Sequence, residues 1–400
     1  MTYEGAFLPY GRQQIEADDI AAVAAVLRGE WLTTGPKVAE FEREFAAATG
    51  ARHAVAVNSG TAALHLAARA VGLSPGCWAV VPTITFLATA NAVRFVGADV
   101  VFADVDPETG LLGPAQFEAA LARAPGPVTA VFSVHLGGQC VGMDAIAAIA
   151  RSRGIAVIED ACHALGTTEC GAPVGSCRVS DVACFSLHPV KTIAAGEGGI
   201  VTTNDEALAA TMRRQRNHGM VREPADFHNR DLAFAADGTP NPWYYEMVEA
   251  GFNYRLSDIN CALALSQLGK LERFASRRQA LARLYDELLA ELAPLVRPVP
   301  RVPGCRPVLH LYQVLIDFDA IRLDRADLIR ALSDRGIGTQ VHYIPVHRQP
   351  YYKALYGDLY LPGADAFYRR TLSLPLFSGM TEADVVRVVT ALKTIIGAAT

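Results

Sequence analysis

One lysine stands between a short apolar run and a glycine-rich turn in the sequence CFSLHPVKTIAAGEGG, residues 184–199. Lysine is seldom buried without a function, and a desolvated amine near other cations has a lowered pKa. An amine in that state can capture a carbonyl carbon. Lys191 is therefore a candidate catalytic residue, although most single lysines are solvated.

Two further ends of predicted strands carry polar groups. In VNSGTAALHLA, residues 57–67, hydroxyls and backbone N–H groups converge where a helix begins, and they could bind a phosphate or only cap the helix. In VIEDACHALG, residues 157–166, Glu159 and Asp160 end a buried strand. Such acids need a cationic partner, either in a structural salt bridge or in a functional site.

The three motifs together indicate a specific cofactor. An anion-binding turn suits a phosphate, a carboxylate suits a protonated ring nitrogen, and a lysine suits an aldehyde. Pyridoxal phosphate (PLP) requires this set of groups. Because parallel strands place their carboxyl ends at one edge of a sheet, we expect the three motifs to lie close together.

The composition excludes several other classes of protein. The net charge is -5 and the basic residues are scattered, which argues against nucleic acid and anionic membranes as partners. Eight cysteines occur without a CxxC pair, so we expect reduced, mostly buried thiols and no metal site. The first residues lack a signal-peptide pattern and no apolar stretch could span a bilayer, which predicts a cytoplasmic protein.

Alternating short β-rich and alanine-rich runs between residues 50 and 205 predict an α/β fold with a mainly parallel sheet. The aromatic- and proline-containing segment 220–250 shows neither period and is predicted to be a long functional loop. Beyond it, the pattern predicts a smaller α/β domain. Its expected elements are helices at 256–292, 325–335 and 381–396 and strands at 311–318 and 338–344.

Motifs along nearly the whole chain resemble the DegT/DnrJ/EryC1/StrS family of sugar aminotransferases. They are LPYGRQQIEADDI, EWLTTGPKVAEFE, NSGTAALHLA, PTITFLATAN, EDACHALG, FSLHPVKTIAAGEGG and GFNYRLSDINCALALSQL. The resemblance implies a fold type I PLP-dependent transferase with a mainly parallel seven-stranded sheet. It also implies a large PLP-binding domain over residues 1–250, which includes an N-terminal active-site segment and the 220–250 loop, and a small domain over residues 251–400.

The resemblance also assigns roles at the cofactor. Lys191 is similar to the Schiff-base lysine, and Asp160 to the partner of the pyridine nitrogen. The other implied contacts are His163 at the ring hydroxyl, Phe86 stacked on the ring, Ser186, Gly60 and Thr61 at the phosphate, and Asn253 at the phosphate of the opposite subunit. The last contact implies a homodimer with shared active sites.

Within the family, NPWYYEMVEAGFNYR and QVHYIPVHRQPYYK are most similar to the branch that acts in pseudaminic acid biosynthesis. This implies transfer of the amino group of L-glutamate to C4 of a UDP-linked 4-keto-6-deoxy-N-acetylhexosamine. We expect the sugar pocket to be formed by Tyr10, Glu30, Trp31, Leu32, Thr33, Gln340, Val341, His342 and Tyr343. The nucleotide could be held by Arg255, by the 220–250 loop or by both.

Three alternatives stay open at this point. The substrate could be another nucleotide keto-sugar, either the unepimerised D-xylo UDP compound or a dTDP-linked 3- or 4-keto sugar. Dehydrating relatives replace the lysine with histidine, and the presence of Lys191 argues against that class. A catalytically silent sensor that only binds PLP or a sugar nucleotide is opposed by the intact catalytic residues.

Overall fold

The computed structural model of the protein describes residues 6–140 and 142–399. The strands in this part of the chain are β1 His53–Val57, β2 Trp78–Pro82, β3 Asp99–Ala103, β4 Val128–Val134, β5 Ala156–Asp160, β6 Thr168–Glu169, β7 Ala172–Pro173, β8 Val182–Ser186, β9 Gly199–Thr203, β10 Met220–Val221, β11 Glu246–Met247, β12 Val296–Pro298, β13 Cys305–Arg306, β14 Tyr312–Ile316 and β15 Thr371–Leu374. The helices are α1 Ala17–Arg28, α2 Pro36–Thr49, α3 Gly60–Ala70, α4 Leu87–Phe95, α5 Pro114–Ala122, α6 Met143–Arg151, α7 Glu206–Gln215, α8 Arg230–Ala233, α9 Asp258–Leu268, α10 Leu271–Leu289, α11 Arg325–Ser333, α12 Pro350–Tyr356, α13 Pro362–Arg370 and α14 Glu382–Ala399.

Seven of these strands form the central sheet, in the spatial order β1-β9-β8-β5-β4-β2-β3. Strand β9 runs antiparallel to both of its neighbours, and the other four pairings are parallel. The strands are almost continuously apolar and buried, as in HAVAV and WAVVP, which is typical of a sheet covered by helices. The predicted mainly parallel seven-stranded sheet is confirmed.

A second hydrophobic core forms around the antiparallel sheet β12-β14-β15. Helices α10, α11 and α14 contribute to this core, and so does Leu8 from the beginning of the described chain. Helix α9 instead places Cys261 and Ala264 in the core of the central sheet. Both cores therefore draw on residues from either side of residue 250, and the division into domains at residues 250 and 251 stays a prediction.

Two of the predicted elements of the C-terminal part are wrong in detail. The helix expected over 256–292 is two helices, α9 and α10, separated by Gly269 and Lys270. Glycine has a low helix propensity, and the side chain of Lys270 turns back to Asp18 and Asp19 at 2.6 and 2.8 Å.

The strand expected over 338–344 is absent, and Gln340 forms only an isolated bridge to Ser373. Side chains take over the hydrogen bonds that a strand would need. The N–H of Val341 donates to Oε1 of Gln340, and the carbonyl of His342 accepts from Nε2 of Gln313. The segment therefore runs past the sheet as an irregular strip.

The segment 220–250 has little regular structure, as expected. It contains the two-residue strands β10 and β11, which pair with each other, and the single-turn helix α8. Among residues 6–140 and 142–399, no helix combines the length and the apolarity needed to cross a membrane.

Candidate active site

A cavity of about 580 Å³ lies at the carboxyl ends of the parallel strands of the central sheet. The residues that end β4, β5 and β8, namely Val134, Asp160 and Ser186, all contribute to its wall. The opposite wall is formed by Tyr10 and the irregular strip 340–344. The three motifs singled out in the sequence therefore meet at one site, at the sheet edge where they were predicted to lie.

Asp160 is held by hydrogen bonds from neighbouring elements. The hydroxyl of Thr89 donates to its Oδ2 at 2.6 Å, and the N–H of Cys162 donates to its Oδ1 at 3.3 Å. Thr85 lies one helical turn before Thr89, and their hydroxyls are 2.8 Å apart. Since all of these groups are buried or nearly so, the carboxylate has a fixed orientation towards the cavity.

Lys191 lies half-buried in the wall of the same cavity. Its backbone N–H donates to the carbonyl of His188, in the turn that follows β8. Burial lowers the pKa of its amine, while the nearby Cys162 and Asp160 act in the opposite direction. The amine is thus a better nucleophile and base near neutral pH than a solvated lysine.

His163 belongs to a group of buried rings beside Asp160. Its Nδ1 accepts a hydrogen bond from the N–H of Gly137 at 3.3 Å, and its Nε2 lies 3.3 Å from the hydroxyl of Tyr343. The ring of His310 packs on His163 at a centroid distance of 4.4 Å, and the N–H of His310 donates to the carbonyl of Gly137. Burial holds the pKa of His163 well below its usual value, so the ring is neutral.

The first turn of α3 closes one end of the cavity. The hydroxyl of Ser59 caps this helix by accepting from the N–H of Ala62 at 3.1 Å. A Cβ atom on Gly60 would lie 2.8 Å from Cβ of Ser186, and one on Gly199 would lie 2.3 Å from the carbonyl oxygen of Ser59. Only glycine at these two positions lets the helix N-terminus and the ends of β8 and β9 come this close.

The structure brings most of the predicted site residues together. Those that line the cavity are Tyr10, Gly60, Thr61, Phe86, Asp160, His163, Ser186, Lys191, Gln340, Val341, His342 and Tyr343. The rings of Phe86 and Tyr343 are 5.9 Å apart, and Nδ1 of His342 lies 2.8 Å from Oγ of Ser373. Both His342 and Tyr343 line the cavity.

Five of the predicted site residues do not line this cavity in the single chain: Glu30, Trp31, Leu32, Thr33 and Asn253. All five are exposed. The carbonyl of Leu32 accepts from the N–H of Asp258, and the carbonyl of Asn253 accepts from Nδ2 of Asn58 at 3.3 Å. These residues are fixed at the surface of their own chain and do not face its cavity.

Sequence reasoning missed several residues that form or support the site. Thr85, Cys162, His188, Glu197 and Gln349 line the cavity, and Thr89 and Gly137 bind residues that line it. The threonines could have been found, because they follow strand β2 at the sheet edge where ligands bind. Gly137 and His310 had no such signal, because their contacts depend on two distant segments meeting.

The whole chain has relatives with the same fold. The model of the DegT/DnrJ/EryC1/StrS aminotransferase family matches residues 13–393. The chain belongs to this family. It is a sugar aminotransferase, and its cofactor is pyridoxal phosphate.

Three relatives illustrate the similarity of this sugar aminotransferase to known proteins. The spore coat polysaccharide biosynthesis protein SpsC of Bacillus subtilis is 41% identical over 393 residues, 98% of this chain and 97% of the relative. The structure of Helicobacter pylori PseC, an aminotransferase involved in the biosynthesis of pseudaminic acid, matches with a TM-score of 0.89 at 26% identity, over 98% and 100% of the two chains. Spr1654 of Streptococcus pneumoniae in its PLP form matches with a TM-score of 0.86 at 25% identity, over 98% and 100%.

The residues of this aminotransferase fit its cofactor. Gly60 at the start of α3 leaves a space beside Ser186 that a larger residue would fill, and the N–H groups of a helix N-terminus suit a phosphate. Asp160 is a buried carboxylate that opens into the same cavity, and the amine of Lys191 has its pKa lowered by burial. A phosphate, a ring nitrogen and an aldehyde each find a suitable group.

Proposed function

We propose that this aminotransferase moves the amino group of L-glutamate to C4 of a UDP-linked 4-keto-6-deoxy-N-acetylhexosamine, as a step of pseudaminic acid biosynthesis. The observation that carries the proposal is the likeness to PseC along the whole chain, with a TM-score of 0.89. The polar and aromatic side chains of Tyr10, Gln340, His342 and Tyr343 support it, because together they offer hydroxyl, amide and flat apolar surface to a sugar.

Four groups of the chain would hold the cofactor. Lys191 Nζ would bind its aldehyde carbon, and Asp160 would keep its ring nitrogen protonated. The first turn of α3 and Ser186 would bind its phosphate, and His163 would contact its ring hydroxyl. When bound, pyridoxal phosphate supplies an electrophilic carbon and a pyridinium ring that spreads the electrons of a carbanion.

The chemistry then depends on proton transfer by Lys191. Its Nζ takes a proton from the α-carbon of the donor amino acid and returns one, first as general base and then as general acid. A lowered pKa suits this double role, because the amine must be able to gain and lose a proton near neutral pH. The side chains of Thr89 and Thr85 keep Asp160 in place throughout, so little reorganisation is needed.

A homodimer with shared active sites belongs to the same proposal. Asn253 and Trp31 are exposed and lie outside the cavity of their own chain. Trp31 is 55% exposed and Phe86, at the cavity wall, is 56% exposed, so both offer apolar surface to a second copy. In the proposed dimer a second copy covers this surface, and Asn253 and the segment 30–33 contact the partner's cavity.

The decisive experiment offers three keto-sugars in parallel with L-glutamate and measures the amino sugar and 2-oxoglutarate. The three are the L-arabino 4-keto UDP sugar, its unepimerised D-xylo isomer and a dTDP-linked keto-sugar. We expect efficient amination of the L-arabino compound. Amination of only the D-xylo compound would show that the D-xylo compound, and not the L-arabino compound, is the substrate. Preference for the dTDP-linked compound would overturn the UDP assignment.

A different nucleotide keto-sugar is the second candidate, and one observation favours it. The relative SpsC is more similar in sequence, at 41% identity, and its name places it in spore coat polysaccharide biosynthesis. Incubation with glutamate alone tests the proposed donor. If glutamate is the donor, the absorbance of the PLP form converts to that of the pyridoxamine form, and no conversion would contradict glutamate as the donor.

A further inference from the structure

Two buried thiols from distant parts of the chain face each other behind the active site. Cys140 follows the turn after β4, and Cys305 begins β13, 165 residues later. Their Sγ atoms are 3.6 Å apart. Both are buried, and Cys305 at 8% exposure keeps slightly more contact with solvent than Cys140 at 1%.

Hydrogen bonds fix the backbone on both sides of this pair. Nε2 of Gln139 donates to the carbonyl of Pro300 at 3.1 Å, and Oε1 of Gln139 accepts from the N–H of Val302 at 3.1 Å. The N–H of Cys305 in turn donates to the carbonyl of Val302. Because the two segments are already joined next to the thiols, the sulfur atoms can meet without a large movement of the backbone.

The surroundings make one of the two thiols reactive. The hydrogen bond from Cys140 lowers the pKa of Cys305 and the buried His135 acts in the same direction, while burial raises it. The same contact raises the pKa of Cys140. Cys305 is therefore the group that reacts first as a thiolate, and Cys140 is placed to resolve the product.

We propose that Cys140 and Cys305 are a redox pair that closes into a disulfide when a peroxide oxidises the protein. Sγ of Cys305 attacks one oxygen of hydrogen peroxide, the O–O bond breaks, and a sulfenic acid and one water form. Sγ of Cys140 then attacks the sulfur of Cys305 and displaces the hydroxyl group as a second water. Two thiols lose two electrons and two protons, and one peroxide becomes two waters.

A disulfide between Cys140 and Cys305 would affect the packing at the edge of the active site, and it is a property separate from the proposed amino transfer. The turn before Cys140 contains Gly137, whose N–H donates to Nδ1 of His163 and whose carbonyl accepts from the N–H of His310. The segment after Cys305 carries His310 itself. A disulfide between these segments would link the residues that pack against His163. It would also lower the conformational entropy of the unfolded chain.

Peptide mapping of the PLP-loaded protein tests the pair. The wild type is treated with hydrogen peroxide, free thiols are alkylated under denaturing conditions, and unreduced peptides are measured by mass spectrometry. We expect one linked species that joins the peptides of Cys140 and Cys305, that is two hydrogens lighter than their sum and that dithiothreitol reverses. The melting temperature should rise by a few degrees in the oxidised protein.

Serine variants test whether Cys140 and Cys305 themselves form the link. Cys140→Ser and Cys305→Ser should both lose the linked species and the rise in melting temperature. The control is Cys170→Ser, because Cys170 is exposed and its N–H binds the carbonyl of Gly304, next to Cys305. This variant should keep both signals.

Three results would overturn the redox pair. One is a wild type in which every thiol is still alkylated after peroxide treatment. Another is a link between Cys170 and Cys305 instead of Cys140. The third is a sulfinic or sulfonic acid at Cys305 without any link. Since the mapping is done on the wild type, a serine variant that fails to fold does not affect the result.

Discussion

At the scale of single residues, the site contains a lysine whose pKa, and a carboxylate whose orientation, are set by their neighbours. Burial lowers the pKa of the Lys191 amine, and Thr89 fixes the carboxylate of Asp160. That Lys191 and Asp160 both line the cavity could be predicted from the sequence, because polar groups after parallel strands meet at one edge of the sheet. Their supporting residues could not, because a threonine that caps a carboxylate has the same local pattern as one that packs in a core.

Replacement of Lys191 by alanine should lower turnover by several orders of magnitude, because it removes both the amine that binds the aldehyde and the proton carrier. Cofactor affinity should fall less, since the phosphate contacts remain. Borohydride reduction followed by mass spectrometry should place the cofactor on Lys191 in the wild type. Detection of the cofactor on another lysine would contradict the assignment.

Replacement of Thr89 by valine should reduce turnover, because a hydrogen bond to a charged group contributes about 1.5 to 3 kcal/mol, or roughly a 10- to 100-fold change in rate. Thr89→Ser keeps the hydroxyl and should restore most of the activity. The pH profile of the cofactor absorbance distinguishes this role from a packing role. In Thr89→Val we expect the pH at which the ring nitrogen loses its proton to differ from that of the wild type, and an unchanged profile would contradict a contact through Asp160.

The pH dependence of cofactor capture follows from the lowered pKa of Lys191. Only the neutral amine reacts, and in the folded protein it becomes neutral below the ordinary lysine value of 10.5. The rate at which the apo protein captures PLP should therefore rise with pH and level off below pH 10.5. A rate that still rises at that pH, measured by stopped-flow absorbance, would mean that the amine is solvated.

At the scale of elements, the cavity exists because strand ends and a helix N-terminus approach each other at glycines. The alternation of strands and helices was readable from the sequence, and so was the sheet edge where the ligand groups meet. The segment 338–344 is not the predicted strand. Alternating polar and apolar residues form a strand only where a neighbouring strand is free to pair. Here the side chains of Gln340 and Gln313 bind the backbone first.

Gly60→Ala tests the close approach of α3 and β8. A Cβ atom there would lie 2.8 Å from Cβ of Ser186, so we expect a loss of about 1 to 3 kcal/mol of unfolding free energy and weaker binding of PLP. Gly397→Ala is the matched control, because a Cβ atom at this helical position meets no atom within 4 Å. It should be neutral or stabilise the protein by up to about 1 kcal/mol. Equal PLP affinity in the two variants, by titration, would contradict a phosphate site at Gly60.

At the scale of the whole molecule, the cavity lies where two hydrophobic cores meet. The strand ends come from the first core, while Tyr10 follows Leu8 of the second core and Val341 packs against it. The second core in the C-terminal part agrees with the change of pattern along the chain, while the division into domains at residues 250 and 251 stays a prediction. The sharing of segments between the cores was not predictable, because it depends on contacts between residues hundreds of positions apart.

Mixed dimers test whether the active sites are shared. Lys191→Ala and Asn253→Ala would be refolded together, so that each hybrid has one site with both residues intact and one with neither. We expect activity above that of either variant alone, in proportion to the hybrid fraction measured by native mass spectrometry. If hybrids form and the activity does not rise, Asn253 does not serve the partner subunit.

The backbone N–H of Gly137 fixes the position of a hydrogen atom on the ring of His163. This N–H donates to Nδ1 of His163, and a neutral imidazole that accepts at one nitrogen carries its hydrogen on the other. His163 therefore has a single tautomer, with the hydrogen on Nε2 directed towards the hydroxyl of Tyr343. The oxygen of Tyr343 is then an acceptor, and the hydroxyl hydrogen of Tyr343 is directed away from His163. A main-chain amide more than twenty residues away in sequence thus sets the direction of both hydrogen bonds of the His163 ring.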